Sequence, residues 1–243
     1  MSYASPIAAL SERTRELLLR AIRAGEFRDG RLPPEADLAQ QLGVSRTTLR
    51  AALQPLEADG LISRRRRHGT FVNGHLLRTS MRLNRLVAFT ELIEQSGHVP
   101  SVDPQQRAVE VPHAALAATL EIAEAQECLV VHRTLRADGD AVITIVDTVP
   151  LARLDRAPAD VEDADSTFAF LAANGAPAVD YATSEVIPRV ACDGTPEGLD
   201  VPYGTAYIEL LETMYSREHQ PVAVSRVSVN DLVVRLSLLR RGL

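Results

Sequence analysis

The chain has 243 residues, 46% apolar and 24% charged, which suits two ordinary domains with buried cores and excludes a disordered chain. No apolar run approaches the ~20 residues that span a bilayer, and the first residues lack the basic region and continuous apolar segment of a signal peptide. A cytoplasmic protein without membrane partners is therefore expected.

The net charge of −6 hides an asymmetry. Residues 1–75 hold 12 Arg against 8 acidic residues, giving +4, while residues 76–243 hold 14 Arg against 24, giving −10. That division assigns any nucleic acid to the first part and argues against it for the second. Every cation is Arg, which forks onto carboxylate and phosphate better than an ammonium does. Cys128 and Cys192 stand in no ligand-spaced pattern, and the six histidines are dispersed. Both cysteines read as small apolar residues, and no metal site and no cofactor are expected.

Ser5-Pro6 suits the N-cap and first position of a helix. Its buried stripe is read as Leu10, Leu17, Leu18, Ala21 and Ile22, ending at Gly25. From Leu38 the spacing predicts a short helix, a turn at Gly43-Val44 with Gly43 left-handed, and a second helix capped by Ser45. The stripes Leu38/Leu42 and Leu49/Ala52/Leu53/Leu56 give each helix one face to bury. Arg46, Thr47 and Arg50 are then exposed from the first turns of the second helix. Pro55 should kink that helix or mark its last turn. An arginine-loaded hairpin follows, Arg64 to Arg67, closing near Val72. Such an order of elements is a winged helix-turn-helix, a module for holding DNA. Arg can bridge guanine O6 and N7, and a Thr methyl can touch a thymine methyl. A run of four arginines alone is read as a solvated strand. Beside this module it supplies phosphate attraction and minor-groove insertion, for which Arg66 and Arg67 are the candidates.

Residues 1–74 are read as this domain, 75–84 as a linker and 85–243 as a second domain. There the spacing predicts a helix over 86–96 ending at Gly97, and helices near 112–120 and 166–174, the latter capped by Asp165. Strands are expected over 127–137 and 141–149 around Asp138-Gly139, a strong hairpin signal. A second hairpin is expected over 206–216 and 222–232. The mixture implies an α+β chain: a winged helix-turn-helix followed by an antiparallel sheet with packed helices.

The first part resembles the DNA-binding domain of the GntR family of bacterial transcription regulators. The resemblance is carried by Gly30-Arg31-Leu32-Pro33, Ser45-Arg46-Thr47-Thr48-Leu49-Arg50, the 56–62 segment and His68-Gly69-Thr70-Phe71-Val72. It implies DNA contacts from Ser45, Arg46, Thr47, Thr48 and Arg50 in the major groove, and from the wing tip at His68 and Gly69 in the minor groove. Two positions depart from the family: Pro34 replaces a capping Ser, and Ala36 a basic residue. The second part is similar to the effector domain of the HutC subfamily, with a chorismate-lyase-like fold. This rests on Arg133 with Ala137-Asp138-Gly139, Pro150, Phe168 with Leu171 and Gly175, and Gln220-Pro221-Val222. The resemblance implies a homodimer joined through the second domain and a small-molecule effector.

Arg133 is the leading effector-binding candidate, because strict alternation puts it on one face with Val131 and Leu135, and a charge on an apolar face wants a reason. Asp147, Tyr181, Glu185, Ser225 and Arg226 are further candidates. His132 falls on the opposite face and is expected outside any pocket. Leu135, Ile145 and Ala223 stand where sugar-phosphate-binding relatives carry charged residues, which disfavours an amino-sugar phosphate. The function implied is a repressor that binds a palindromic DNA operator as a homodimer. Two alternatives stay open: a ligand-independent regulator of the plasmid-transfer type, and a lyase-like enzyme, for which no catalytic residues emerge.

Overall fold

A computed structural model describes residues 6–58, 60–65, 68–73, 86–192 and 195–237. Residues 6–73 fall in one compact unit and residues 86–237 in another. Ser5, the expected linker over 75–84, and the wing residues Arg66 and Arg67 lie outside the described residues.

The first unit opens with α1 (Pro6–Arg23), whose stripe differs from expectation. Leu18 and Ile22 are buried, but Leu10 and Leu17 are 43% and 49% exposed, and Thr14 is buried in their place. The inward face therefore follows 14, 18, 21 and 22, in helical period, with the Thr14 hydroxyl satisfied by the Leu10 carbonyl at 2.7 Å. Helices α2 (Glu35–Gln41) and α3 (Arg46–Ala58) close over it, with Leu38, Leu49, Ala52, Leu53 and Leu56 in one core. Pro55 lies inside α3, which runs three residues further and ends at Ala58. A two-stranded ribbon follows, β1 (Ile62–Arg65) against β2 (Gly69–Val72). Its outer edge is extended by a bridge between Arg31 and Phe71.

The second unit is built on a seven-stranded antiparallel sheet of order β3-β5-β6-β9-β8-β7, with β4 sharing the β5 edge with β3. The strands are β3 (Pro100–Val102), β4 (Gln106–Glu110), β5 (Cys128–Ala137), β6 (Asp140–Pro150), β7 (Val179–Val190), β8 (Ala206–Ser216) and β9 (Pro221–Val229). Asp138 and Gly139 both adopt positive φ, 53° and 99°, as the tight β5–β6 turn requires. Strand β9 stops at Val229 because Asn230 turns the chain: its Oδ1 accepts the Leu232 amide at 3.0 Å and its side-chain amide donates to the Asp200 carbonyl at 2.7 Å.

Register divides the sheet into two faces. Leu135, Ile143, Ile145, Val227, Val229 and Leu210 lie on the inner face, covered by α4 (Phe89–Gln95) through Leu92 and Ile93. Further along that face, Phe170 of α6 (Thr167–Ala173) packs on Leu129 and Val131, and Leu171 on Val149 and Met214. On the outer face, Leu116 of α5 (Ala114–Thr119) and Leu120, which caps it, cover Cys128 and Val224. Two helix starts correct the expectation. Residues 86–88 are not helical, so α4 begins at Phe89, and α6 is capped by Ser166, whose Oγ accepts the Ala169 amide at 3.2 Å, not by Asp165.

Candidate nucleic-acid interface and internal cavity

The turn between α2 and α3 is closed by its own backbone. Gly43 has φ +65°, its amide donates to the Gln40 carbonyl at 3.1 Å, and the Val44 amide donates to the Ala39 carbonyl at 3.0 Å. That pair of bonds satisfies two of the last carbonyls of α2 and aims the chain into α3. Ser45 Oγ accepts the Thr48 amide at 3.0 Å and lies 2.8 Å from the Thr48 hydroxyl. Thr48 is buried, so two of the five helix residues expected at DNA, Ser45 and Thr48, have their hydroxyls bonded to each other in the cap.

Arg46, Thr47 and Arg50 are exposed on the same start of α3. Arg50 Nε donates to Glu35 of α2 at 2.7 Å, which fixes the direction of a long side chain while leaving it 65% exposed. In the wing, His68 and Gly69 are exposed, and Gly69 holds φ +97°, a conformation that side chains rarely adopt. Of the four arginines, Arg64 turns back to Glu57 of α3 at 3.3 Å, whereas Arg65 stays exposed. Arg65 and Arg31 each place a guanidinium over the Phe71 ring, 5.5 and 5.6 Å from its centre. Arg31 was not singled out from the sequence. It meets the wing through an isolated antiparallel bridge to Phe71, a long-range pairing that no local pattern in the sequence signals. Arg31, Arg46, Arg50 and Arg65 are all exposed in this unit, and Arg31 and Arg65 line one groove together with Glu26, Asp29 and Glu35.

In the second unit the expected effector residues divide between the faces. Arg133, Asp147 and Ser225 come together on the inner face; Tyr181, Glu185 and Arg226 lie on the outer one. The Arg133 and Asp147 side chains are fully buried and bonded to each other. Arg133 Nε also donates to the Ala164 carbonyl at 3.2 Å, and its guanidinium lies 5.1 Å from the centre of the Phe170 ring. Asp147 further accepts the hydroxyls of Thr167, at 2.9 Å, and of Ser225. Within this network one donor is left over, since the buried Arg133 Nη2 has no hydrogen-bond partner among the described residues.

Beside it lies a cavity of about 50 Å³, floored by β5, β6, β7, β8 and β9 and covered by residues 86–89, Leu92 and the start of α6. Its polar lining is Ser184, Glu212 and Ser225 from the sheet, with Asp165, Ser166 and Thr167 from the cover. Asp147, Ser225, Glu212 and Ser184 stand opposite one another on four adjacent strands. Neither Arg133 nor Asp147 reaches the lining. Burial raises the Glu212 carboxyl above the usual carboxylate range; the Ser184 hydroxyl opposes that rise, and the Asp147 charge adds to it. Glu212, Ser184 and Thr167 were missed in the sequence. Glu212 carried the same signal as Arg133, a charge alternating with Leu210 and Met214.

On the outer face, a groove of about 590 Å³ is lined by His113, Leu116, His132, Leu211 and Arg226 among others, so His132 does border a concavity, contrary to expectation. The Tyr181 ring stacks on Tyr215 at 4.9 Å, and its hydroxyl lies 3.1 Å from His219 Nδ1. Burial pushes the Cys128 thiol up to about 11, as befits an apolar packing residue.

Comparison with known proteins agrees with this division. Residues 10–72 match the bacterial regulatory proteins of the gntR family, and residues 95–230 match the UTRA domain. The HTH-type transcriptional regulator GgaR of Escherichia coli (strain K12) is 46% identical over 59 residues, a match that spans only 24% of the chain and 24% of that protein. The HTH-type transcriptional repressor NagR of Bacillus subtilis (strain 168) is 38% identical over 86 residues, 35% of each chain. Among solved structures, the possible transcriptional regulator YydK from Bacillus subtilis subsp. subtilis str. 168 superposes with a TM-score of 0.72 over 96% of this chain and 99% of its own, at 16% identity. That likeness shows a shared fold.

Proposed function

Because the chain belongs to the gntR family of bacterial regulatory proteins and carries a UTRA domain, we propose that it is a repressor, binding a palindromic operator as a homodimer under the control of a small molecule in the inner cavity. The family's members are transcription regulators and not enzymes. The observation that carries the DNA reading is the exposed set Arg46, Thr47 and Arg50 on the capped start of α3, in one unit with the exposed wing residues Arg65, His68 and Gly69. Effector control rests on the cavity's cover. Residues 86–89 line it, and in the chain they directly follow the segment that leads out of the first unit. A ligand that favours one position of that cover need supply only ~1–3 kcal/mol to shift DNA affinity.

The DNA assignment is tested with Arg46→Ala and Arg50→Ala, by fluorescence anisotropy on a duplex enriched for binding and on a scrambled one. A bidentate base contact is worth about 1–3 kcal/mol, so each variant should lose about five- to 150-fold on the enriched duplex and much less on the scrambled one. Equal losses on both would reassign these arginines to the phosphate backbone. A second reading, a ligand-independent regulator, is favoured by the cavity's size: about 50 Å³ against the roughly 300 Å³ or more of most ligand sites.

A further inference from the structure

The protons of the cavity's floor are already committed. Asp147, paired with Arg133, accepts from the hydroxyls of Ser225 and Thr167. Glu212 accepts from the hydroxyl of Ser184 at 2.5 Å. An ionised carboxylate only accepts, so these three hydroxyls turn lone pairs, not protons, toward the cavity. Glu212 itself is 8% exposed, has that one hydrogen bond, and forms no ion pair with any described residue. Among the described lining residues there is no Arg or His, and the two charged ones are both acids, Glu212 at the floor and the exposed Asp165 on the cover. The donors that remain, the Ser166 hydroxyl and the first amides of α6, stand beside Asp165, whose charge repels an anion. Around the acceptors lie Phe89, Leu92, Ile145, Met214 and Val227.

We propose that this cavity takes a compact organic cation, an ammonium or similar donor-rich head on a short apolar body, with Glu212 as its counter-ion, and that it excludes phosphates and carboxylates. The proposal rests on the effector reading given above. An ammonium offers three donors and no acceptor, the complement of a floor that offers acceptors and no donor. An anion would meet a buried carboxyl with no cation to offset it. At about 10–15 Å³ for each water-sized group, about 50 Å³ holds an ammonium and a few methylenes. Arg133 is set aside as the ligand's partner because it does not reach the lining; its Nε and Nη1 are taken by Ala164 and Asp147, and its Nη2, without a partner among the described residues, lies outside the cavity.

The test uses the full-length protein in thermal-shift and calorimetric titrations. The cations are ethanolamine, putrescine, agmatine and histamine; the anions are inorganic phosphate, glucosamine 6-phosphate and succinate; 1,4-butanediol is the neutral isostere of putrescine. At least one amine should raise the melting temperature, and the anions and the diol should not. Glu212→Gln should weaken that amine by about thirtyfold or more, since it leaves a buried cation without its counter-charge. Stabilisation by an anion, or by the diol as much as by putrescine, would overturn the cation assignment while leaving the effector reading standing. Silence from cations and anions alike, with the cavity unresponsive, would overturn both.

Discussion

Arg133 and Asp147 face each other where neither side chain touches water. Such a pair contributes little net stability when intact, because desolvation of both charges offsets their attraction, yet breaking it strands one charge in the interior. Arg133→Ala is therefore expected to destabilise the second unit by about 3–5 kcal/mol, read by urea denaturation, whatever it does to ligand response. A loss under 1 kcal/mol would show that the pair is hydrated. Glu212 behaves in the opposite sense. Burial raises its carboxyl, so it stabilises the fold fully only below the ordinary carboxylate range, and that stabilisation is lost as the pH rises through its folded value. Glu212→Gln should accordingly melt above the parent protein at pH 8, with the gap closing at pH 4. A gap of equal size at both would deny the carboxyl's burial. From the sequence, alternation told which way Arg133 points but not what it meets. Asp147 lies 14 residues away across a hairpin, opposite Val131, and only the register of β5 on β6 brings it diagonally to the guanidinium.

At the scale of elements, the local signals that succeeded are those with a backbone cause. Gly43, Asp138-Gly139 and Ser45 each satisfy a dihedral or an orphan amide, and each was legible in the chain. Ser45→Ala should cost the first unit about 1 kcal/mol and Ser45→Gly only a few tenths, compared by thermal melts. If the two variants cost the same, the cap is not what holds α3. The signals that failed are those settled by neighbours. Leu10 and Leu17 fit an apolar stripe, but α1 is rotated so that Thr14 faces the core. Strand β7 was not singled out because it is an edge strand exposed along most of its length, without the apolar alternation that marked β5 and β8. Ser166 outcompeted Asp165 as the cap of α6 by one position, a difference that composition does not resolve.

For the whole molecule, the charge asymmetry read from composition coincides with the two units: the arginine-rich wing and α3 start lie in the first, and the acid-lined cavity in the second. A repressor needs both, a surface that reads DNA and a site whose occupant alters that reading. The first of these is sequence-specific recognition of a palindrome by two copies of the chain. It is tested most directly by selecting bound duplexes from a random pool with the full-length protein and sequencing them. The expected product is an enriched inverted repeat whose half-site centres lie about one helical turn, roughly 34 Å, apart, lost when Arg46 and Arg50 are both replaced by alanine. Enrichment of a single unpaired half-site, or no enrichment beyond general affinity for duplex DNA, would contradict it.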